Sequence, residues 1–255
     1  PNDKSKDGTL YAFTCNISSI QMAETITATF HYKVDEEEKA VVAEYSVAQY
    51  VIDFDAMGGY DDETVALVHA VADYGHYVQP FLSASRDWTI GIDYAEMPAS
   101  TVYSETTIAE ASAFAANYTF TSDYPKGEGI ERITAALKLL SDTALEARVY
   151  TVAGEEVASA TLAGATPLDV QKASSSCWAV TVSGIRAQQL CDNYEVTVTT
   201  NGGVVGKITM SGIAYANAVL NGDAYKDDQD ALKAMTSLVR YHQAVKAYKD
   251  HIEMG

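Results

Sequence analysis

The chain has 255 residues, and 47% of them are apolar, so it can bury a sizeable core and is not disordered throughout. It carries 17 Lys and Arg residues against 35 Asp and Glu residues, a formal net charge of −18. A charge of this sign repels nucleic-acid phosphates and anionic membrane surfaces, which argues against a nucleic-acid partner. No run approaches the roughly 18 apolar residues of a membrane span, and residues 1–6 lack the pattern of a signal peptide, so no membrane insertion is expected.

The first predicted elements are strands, and their pattern returns later in the chain. Three segments of each copy agree in order and spacing: 10–14, 17–22 and 25–29 in the first, and 177–181, 185–190 and 194–198 in the second. In both copies the apolar residues first alternate with a period of two, and the period then changes to about 3.6. Residues 10–82 and 177–248 are therefore predicted to be two copies of one module, a β-sheet segment followed by two helices.

Each copy continues into a short helix and a longer one, in which apolar residues recur at steps of three and four. Asp61 and Asp228 stand in acidic clusters at the start of the longer helices, where carboxylates can cap free backbone N–H groups. In the first copy Pro80 is expected to end the longer helix. Residues 84–126 are predicted to be a linker with some structure of its own, including a helical stretch at 107–116.

The second copy is preceded by further strand candidates, at 130–140, 144–152, 155–162 and 168–173. With the three later strands they make seven, which is typical of an immunoglobulin-like (Ig-like) sandwich. The predicted fold class is α+β, with two related modules, each an antiparallel Ig-like β-sandwich followed by a helix pair. The sandwich is partial in the first copy, and the predicted boundaries are 1–83, 84–126 and 127–255.

Several segments of both copies resemble modules that recur in large secreted and cell-surface proteins of Gram-positive gut bacteria. In the first copy the resemblance is carried by residues 22–29 (Met-Ala-Glu-Thr-Ile-Thr-Ala-Thr), 45–50 and 67–75. The second copy is similar to the same module with its opening strands retained. The resemblance implies a secreted or cell-surface location and a modular protein, and it implies no activity and no functional residue.

An EF-hand-like calcium loop is the first metal hypothesis. Acids stand at loop positions one, three and nine, with Gly58 at position six: Asp53, Asp55 and Asp61. Met57 at position five and Thr64 at position twelve depart from the pattern, because position twelve normally supplies a bidentate Glu. Helix capping and a glycine turn are the alternative interpretation.

A second metal hypothesis rests on His69, Asp73 and His76, which share one side of a helix at i, i+4 and i+7. Partly packed polar residues are the alternative, and His242, on an apolar stripe, is expected to be a buried histidine with its hydrogen bonds satisfied. The cysteines are too few for a disulfide scaffold or a zinc site, although a bridge between Cys177 and Cys191 stays possible. No nucleotide-binding motif occurs, and no cofactor is expected.

Tyrosine is abundant, with 17 residues, and it is favoured where proteins contact proteins or sugars. Four aromatic residues are candidates for an exposed binding patch: Tyr74, Tyr77, Trp88 and Tyr94. Ordinary packing is the alternative interpretation of these residues.

The expected function is a non-enzymatic, extracellular structural or adhesive module of a bacterial surface protein. The alternative is a carbohydrate- or protein-binding module accessory to an enzyme elsewhere in the full-length chain, so the partner would be a glycan or a host or bacterial surface protein. A third possibility is a hydrolase in which distant acids, such as Asp53 and Asp73, meet in a cleft.

Overall fold

The structure, a computed structural model, describes residues 3–4, 11–12, 14–85, 95–139 and 143–254. Helices and antiparallel strands are both present, so the chain has the predicted α+β class. The described residues form five helices: α1 (Val47–Met57), α2 (Asp62–Ser85), α3 (Glu105–Ala115), α4 (Gly212–Leu220) and α5 (Gln229–Met254). None of these five has the length and apolar character needed to cross a bilayer.

The strands form small and large antiparallel sheets. In the first repeat β1 (Asp3–Lys4) pairs with β2 (Tyr11–Ala12), and β3 (Ile26–Val34) pairs with β4 (Glu37–Tyr45). The remaining strands are β5 (Thr121–Asp123), β6 (Ile130–Lys138), β7 (Ala144–Thr151), β8 (Val157–Leu162), β9 (Thr166–Leu168), β10 (Val170–Lys172), β11 (Cys177–Val182), β12 (Tyr194–Thr200) and β13 (Val205–Met210). They form a four-stranded sheet in the order β10-β11-β7-β6 and a five-stranded sheet in the order β5-β13-β12-β8-β9.

The two larger sheets contribute to one hydrophobic core. Side chains on alternate positions of a strand share a face, so β7 buries Leu145 and Val149 while β12 buries Val196 and Val198. The same core continues into α2, α4 and α5, and it includes the fully buried Met235. Both sheets therefore turn an apolar face to an interior that they share with the helices.

The same order of elements occurs twice, and the local contacts repeat with it. A 3-10 turn, two paired strands, a short helix and a long helix follow one another in both halves. Ser46 caps α1 by accepting a hydrogen bond from the N–H of Gln49, and Ser211 caps α4 in the same way. Asp61 and Asp228 cap α2 and α5, as predicted, because each carboxylate accepts a bond from a backbone N–H three residues later.

The long helices of the two repeats, α2 and α5, pack against each other. Tyr74 of α2 and Tyr241 of α5 hold equivalent positions, and their ring centroids lie 5.4 Å apart. Val78 and Leu238 are almost fully buried in the shared core. The repeats are therefore joined through a common apolar interior.

Two sequence predictions about elements are corrected. Pro80 lies inside α2, which continues to Ser85, and the burial of Phe81 and Leu82 in the core gives a reason for the helix to persist beyond it. The strand predicted at 168–173 is two strands, β9 and β10, which belong to different sheets. The helical stretch predicted at 107–116 is present as α3, which buries Ala111 and Ala115 in the core, and β5 in the same segment joins the five-stranded sheet.

Candidate functional site

The acids of the predicted calcium loop are not arranged as a loop. Asp53 and Asp55 lie within α1, which runs on to Met57, so the first half of the predicted loop is helical. Asp53 accepts hydrogen bonds from the Tyr45 hydroxyl at 2.5 Å and from Gln49 Nε2 at 2.8 Å. These two bonds, the tyrosine first, lower the pKa of Asp53.

Asp55 and Asp61 have other partners again. Asp55 Oδ1 lies 2.9 Å from His69 Nε2, whereas both carboxylate oxygens of Asp61 bond to Thr64 at the start of α2. The potential ligand atoms near Asp61 come from Glu63 and from His251 of α5, all within 4.8 Å of one another. This group is largely exposed, and the capping role of Asp61 accounts for its position without an ion.

One face of α2 instead holds an irregular segment, residues 95–104, against the protein. The segment lacks strand partners for much of its backbone, so side chains of α2 supply them. Asp73 is 2% exposed, and its Oδ1 accepts bonds from Ser100 N at 2.7 Å and Thr101 N at 2.8 Å. The other bonds are His76 Nδ1 to Met97 O at 2.6 Å, Tyr77 Oη to Thr101 O at 2.8 Å, Met97 N to Gln79 Oε1 at 2.9 Å and Gln79 Nε2 to Ala95 O at 3.2 Å.

These contacts replace two sequence hypotheses. His69, Asp73 and His76 do not converge on an ion site, because each contacts a different part of the chain. Asp73 is buried by its loop contacts while Asp53 bonds to Tyr45, so the two acids do not form the catalytic pair of the hydrolase hypothesis. In the sequence, polar residues recur along one face of this helix. The same spacing is typical of a metal site and of a polar face that is buried against another segment.

The predicted aromatic patch is not an exposed surface at its described members. Tyr74 and Tyr77 are each only 8% exposed, since Tyr74 packs on Tyr241 and Tyr77 stacks on Tyr103 at 4.2 Å between ring centroids. Trp88 and Tyr94 lie outside the described residues.

A cavity of 320 Å³ lies between the two repeats. Its lining includes pairs of equivalent residues: Ile17 and Ile185, Ser19 and Ala187, Met22 and Leu190, Val71 and Leu238, and Tyr74 and Tyr241. Ser19 Oγ donates to Leu139 O at 2.8 Å, and the Tyr74 phenol bonds to Thr143 and Ser19. These polar groups already bond within the protein, and most of the other lining side chains are apolar.

The second and third cysteines are free, so the possible bridge between Cys177 and Cys191 does not form. Cys191 lies beside the buried His242, with its Sγ 3.0 Å from Nε2. The other ring nitrogen, Nδ1, lies 2.7 Å from Ala187 O and donates to it, because a carbonyl oxygen can only accept. His242 therefore has both hydrogen bonds satisfied, as predicted, and burial raises the pKa of the Cys191 thiol, which disfavours a nucleophilic thiolate.

The most unusual surface is one side of the β3–β4 hairpin. The cross-strand register places eight apolar residues on it, together with the charged Glu37 and Lys39 near the turn. The eight are here named the hairpin apolar face: Ile26, Ala28, Phe30, Tyr32, Val34, Val41, Ala43 and Tyr45. Several are largely exposed, with 48% for Tyr32, 53% for Val41 and 45% for Tyr45. Exposed Tyr32, Val41 and Tyr45 on one side of a hairpin, in a chain of charge −18, favour an interaction surface at this position.

Comparison with known protein families, with curated proteins and with solved structures finds no match to this chain. Function is therefore inferred from the contacts and the exposure of the described residues. Among the described strands, β3 and β4 pair only with each other, and exposed apolar side chains such as Tyr32 and Val41 can contact apolar groups of a partner.

Proposed function

We propose that this chain is a non-enzymatic structural or adhesive part of a secreted or cell-surface bacterial protein, built from two related modules. The observation that carries the proposal is the packing of α2 on α5, in which the equivalent residues Tyr74 and Tyr241 meet. This packing joins the repeats through buried apolar side chains, which suits a segment that must keep its shape between other parts of a long protein.

The proposal also includes the finer description of the fold. The two larger sheets would form an Ig-like sandwich, and the β1–β4 strands would be part of a second one. Support comes from the shared core of the sheets and from the buried Trp178 between them, features that such sandwiches have. The two modules would descend from one, since the caps Ser46 and Ser211 recur at the same point of each.

A substrate panel tests the non-enzymatic part of the proposal. The purified chain is incubated with chromogenic glycosides, esters and peptides, with calcium and with a chelator. We expect no turnover, because the acids considered as catalytic or metal-binding groups serve as caps and loop anchors. Turnover that co-purifies with the folded chain and disappears when it is unfolded would contradict the proposal.

A protein-binding module is the second candidate function, and the hairpin apolar face favours it. An array of glycans, host proteins and bacterial surface proteins, probed with the chain and with its Tyr32→Lys/Val41→Lys variant, tests this candidate. Protein binding that the variant lacks supports it. Glycan binding that both proteins share would instead place recognition elsewhere on the chain.

A further inference from the structure

Three side chains that can carry chemistry meet beside α5. Cys191 follows a 3-10 turn, His242 lies on α5 and Tyr118 follows α3. Cys191 Sγ lies 3.0 Å from His242 Nε2, and the Tyr118 phenol is hydrogen-bonded to the same thiol. Because His242 Nδ1 donates to Ala187 O at 2.7 Å, the ring is held with Nε2 toward the sulfur. A thiol beside a histidine that a third group orients is a thiol with its own base.

The packing of the module does not account for the cysteine and the histidine. In the alignment of the two repeats, Ala23 and Gly75 stand at the positions of Cys191 and His242. The first repeat nevertheless packs its 3-10 turn on α2, as the second packs its own 3-10 turn on α5. The pair is therefore an addition to the second repeat, and a smaller residue at each position is compatible with the same packing.

The thiol is accessible to a small molecule. Cys191 is partly exposed and lines a cavity of 680 Å³. Phe114 forms an apolar part of its wall, with its ring centroid 6.2 Å from that of His242. Charged side chains of both signs complete the lining: Asp192, Lys246, Lys249 and Asp250. A small molecule that carries both carboxylate and ammonium groups therefore finds charges of opposite sign next to the thiol.

The surroundings of Cys191 favour a disulfide over a free thiolate. Burial is the main cause that raises the pKa of the Cys191 thiol, although the hydrogen bond from Tyr118 acts in the opposite direction. A thiol whose thiolate is stabilised forms an easily reduced disulfide, so a thiol with a raised pKa forms one that is harder to reduce. Cys15 and Cys177 are both free, so a disulfide at Cys191 needs another partner.

We propose that Cys191 is a site of reversible modification by a low-molecular-weight disulfide, with His242 as the base. His242 Nε2 takes the thiol proton while Sγ attacks one sulfur of the disulfide. A bond forms between these two sulfurs, the S–S bond of the reagent breaks, and the released thiolate takes the proton from His242. One thiol and one disulfide thus give one mixed disulfide and one thiol, without another oxidant. This site goes beyond the structural role proposed above and does not depend on it.

Glutathione disulfide is the probe for an equilibrium test on the full chain. The chain is equilibrated with mixtures of glutathione disulfide and glutathione, quenched with acid and analysed at each cysteine by peptide mass spectrometry. For Cys191 we expect an equilibrium constant for mixed-disulfide formation on the order of 10-fold larger in the folded chain than in the urea-unfolded chain. The exposed Cys15 should give the same constant in both states, and the buried Cys177 should stay free in the folded chain.

The rate of modification tests the role of His242. While the thiol and the imidazole are both neutral, their protonation does not change with pH, so the rate should be nearly constant from about pH 7 to 9. His242→Asn keeps a donor near Ala187 O and has no basic nitrogen. At about pH 7 its rate should be lower on the order of 10-fold, and it should rise about tenfold per pH unit, as for a thiol that reacts only as free thiolate.

Tyr118→Phe is the matched control for His242→Asn. It removes the other hydrogen bond to the thiol while leaving the base in place, so its rate should stay nearly independent of pH. Circular dichroism and urea unfolding establish that each variant is folded. The equilibrium test uses only the original chain and does not depend on either variant.

Three results would overturn the proposal. Cys191 that stays free in the folded chain, while Cys15 forms the mixed disulfide, would mean that the cavity does not admit the reagent. An equilibrium constant no larger in the folded than in the unfolded chain would make Cys191 an ordinary partly exposed thiol. Equal rates with an equal rise with pH in the original chain and in His242→Asn would mean that His242 is not the base.

Discussion

Asp73 shows how a single buried carboxylate can serve structure in place of chemistry. Replacement by Ala leaves the N–H groups of Ser100 and Thr101 without their acceptor in a buried setting. We expect the free energy of unfolding to fall by about 3 kcal/mol, because unpaired buried donors carry a desolvation cost. Urea unfolding followed by circular dichroism measures the loss, and hydrogen exchange should show that the amides of residues 100 and 101 open first.

The exposed Asp55 provides the control for Asp73. Its contact with His69 lies at the surface, with the carboxylate side chain 51% exposed, so Asp55→Ala should change the stability by less than about 0.5 kcal/mol. Asp73→Asn keeps one acceptor oxygen. It should lower the free energy of unfolding by more than Asp55→Ala and by less than Asp73→Ala. Equal losses for Asp55→Ala and Asp73→Ala would contradict the anchoring role of Asp73.

The roles of the acidic residues were only partly predictable. The capping by Asp61 and Asp228 was predicted, because it depends on residues adjacent in sequence. The EF-hand hypothesis for Asp53 and Asp55 required a loop, whereas α1 continues through both acids and buries Val51 and Phe54. The anchoring of residues 95–104 by α2 could not be predicted, since it joins a helix to a segment without any periodic pattern.

Pro80 is the clearest element-level anomaly, because it lies within α2 and its side chain is exposed. Proline cannot donate the helical hydrogen bond to the residue four positions earlier, and its ring crowds that carbonyl. Pro80→Ala restores the donor without removing a buried contact. We expect it to raise the free energy of unfolding by about 1 to 2 kcal/mol, measured by urea unfolding, after allowance for the greater freedom of the unfolded chain.

Pro98→Ala is the matched control, since Pro98 is also exposed but lies outside the helices. At Pro98 the substitution only increases the conformational freedom of the unfolded chain. The free energy of unfolding is therefore expected to fall by about 0.5 kcal/mol. If Pro80→Ala destabilised the protein instead, Pro80 would be needed to place Phe81 and Leu82 in the core.

Element types were predicted better than their connections. Periodicity located the strands β6, β7 and β8 and the helix α3 to within about two residues, because each follows a repeating apolar pattern. The break at Asp169 between β9 and β10 was not predicted, since a continuous extended segment can pass from one sheet to another without changing its alternation. Sheet membership depends on long-range pairing that the local sequence does not record.

At the scale of the whole molecule, the packing of the two long helices α2 and α5 on each other was not predicted from the sequence. The packing of Tyr74 on Tyr241 joins residues far apart in the chain, and nothing in either helix alone specified it. Both tyrosines belong to an interior rich in buried phenols.

These phenols make the folded protein sensitive to alkali. Burial is the main cause that raises the pKa of Tyr74, Tyr103 and Tyr241, and a hydrogen bond to Cys191, with burial, raises that of Tyr118 to about 12. In the unfolded chain the same groups lose their protons near about pH 10. The folded state therefore binds more protons than the unfolded state above this pH. The stabilisation that these phenols contribute is complete below about pH 10 and is lost as the pH rises through their pKa values in the folded state.

We expect the free energy of unfolding, measured with urea, to be nearly constant from about pH 7 to 9 and to fall steeply above about pH 10. Each phenol that stays protonated in the folded state contributes up to about 1.4 kcal/mol per pH unit to this fall. Tyr241→Phe removes one titrating group while keeping the ring against Tyr74. The slope of its free energy of unfolding against pH should therefore be smaller than that of the original chain by the equivalent of about one proton. The variant Tyr60→Phe is the control, because Tyr60 is 42% exposed and should leave the slope unchanged. A slope that Tyr241→Phe does not alter would mean that alkali unfolds the protein through other groups, such as repulsion among its many carboxylates.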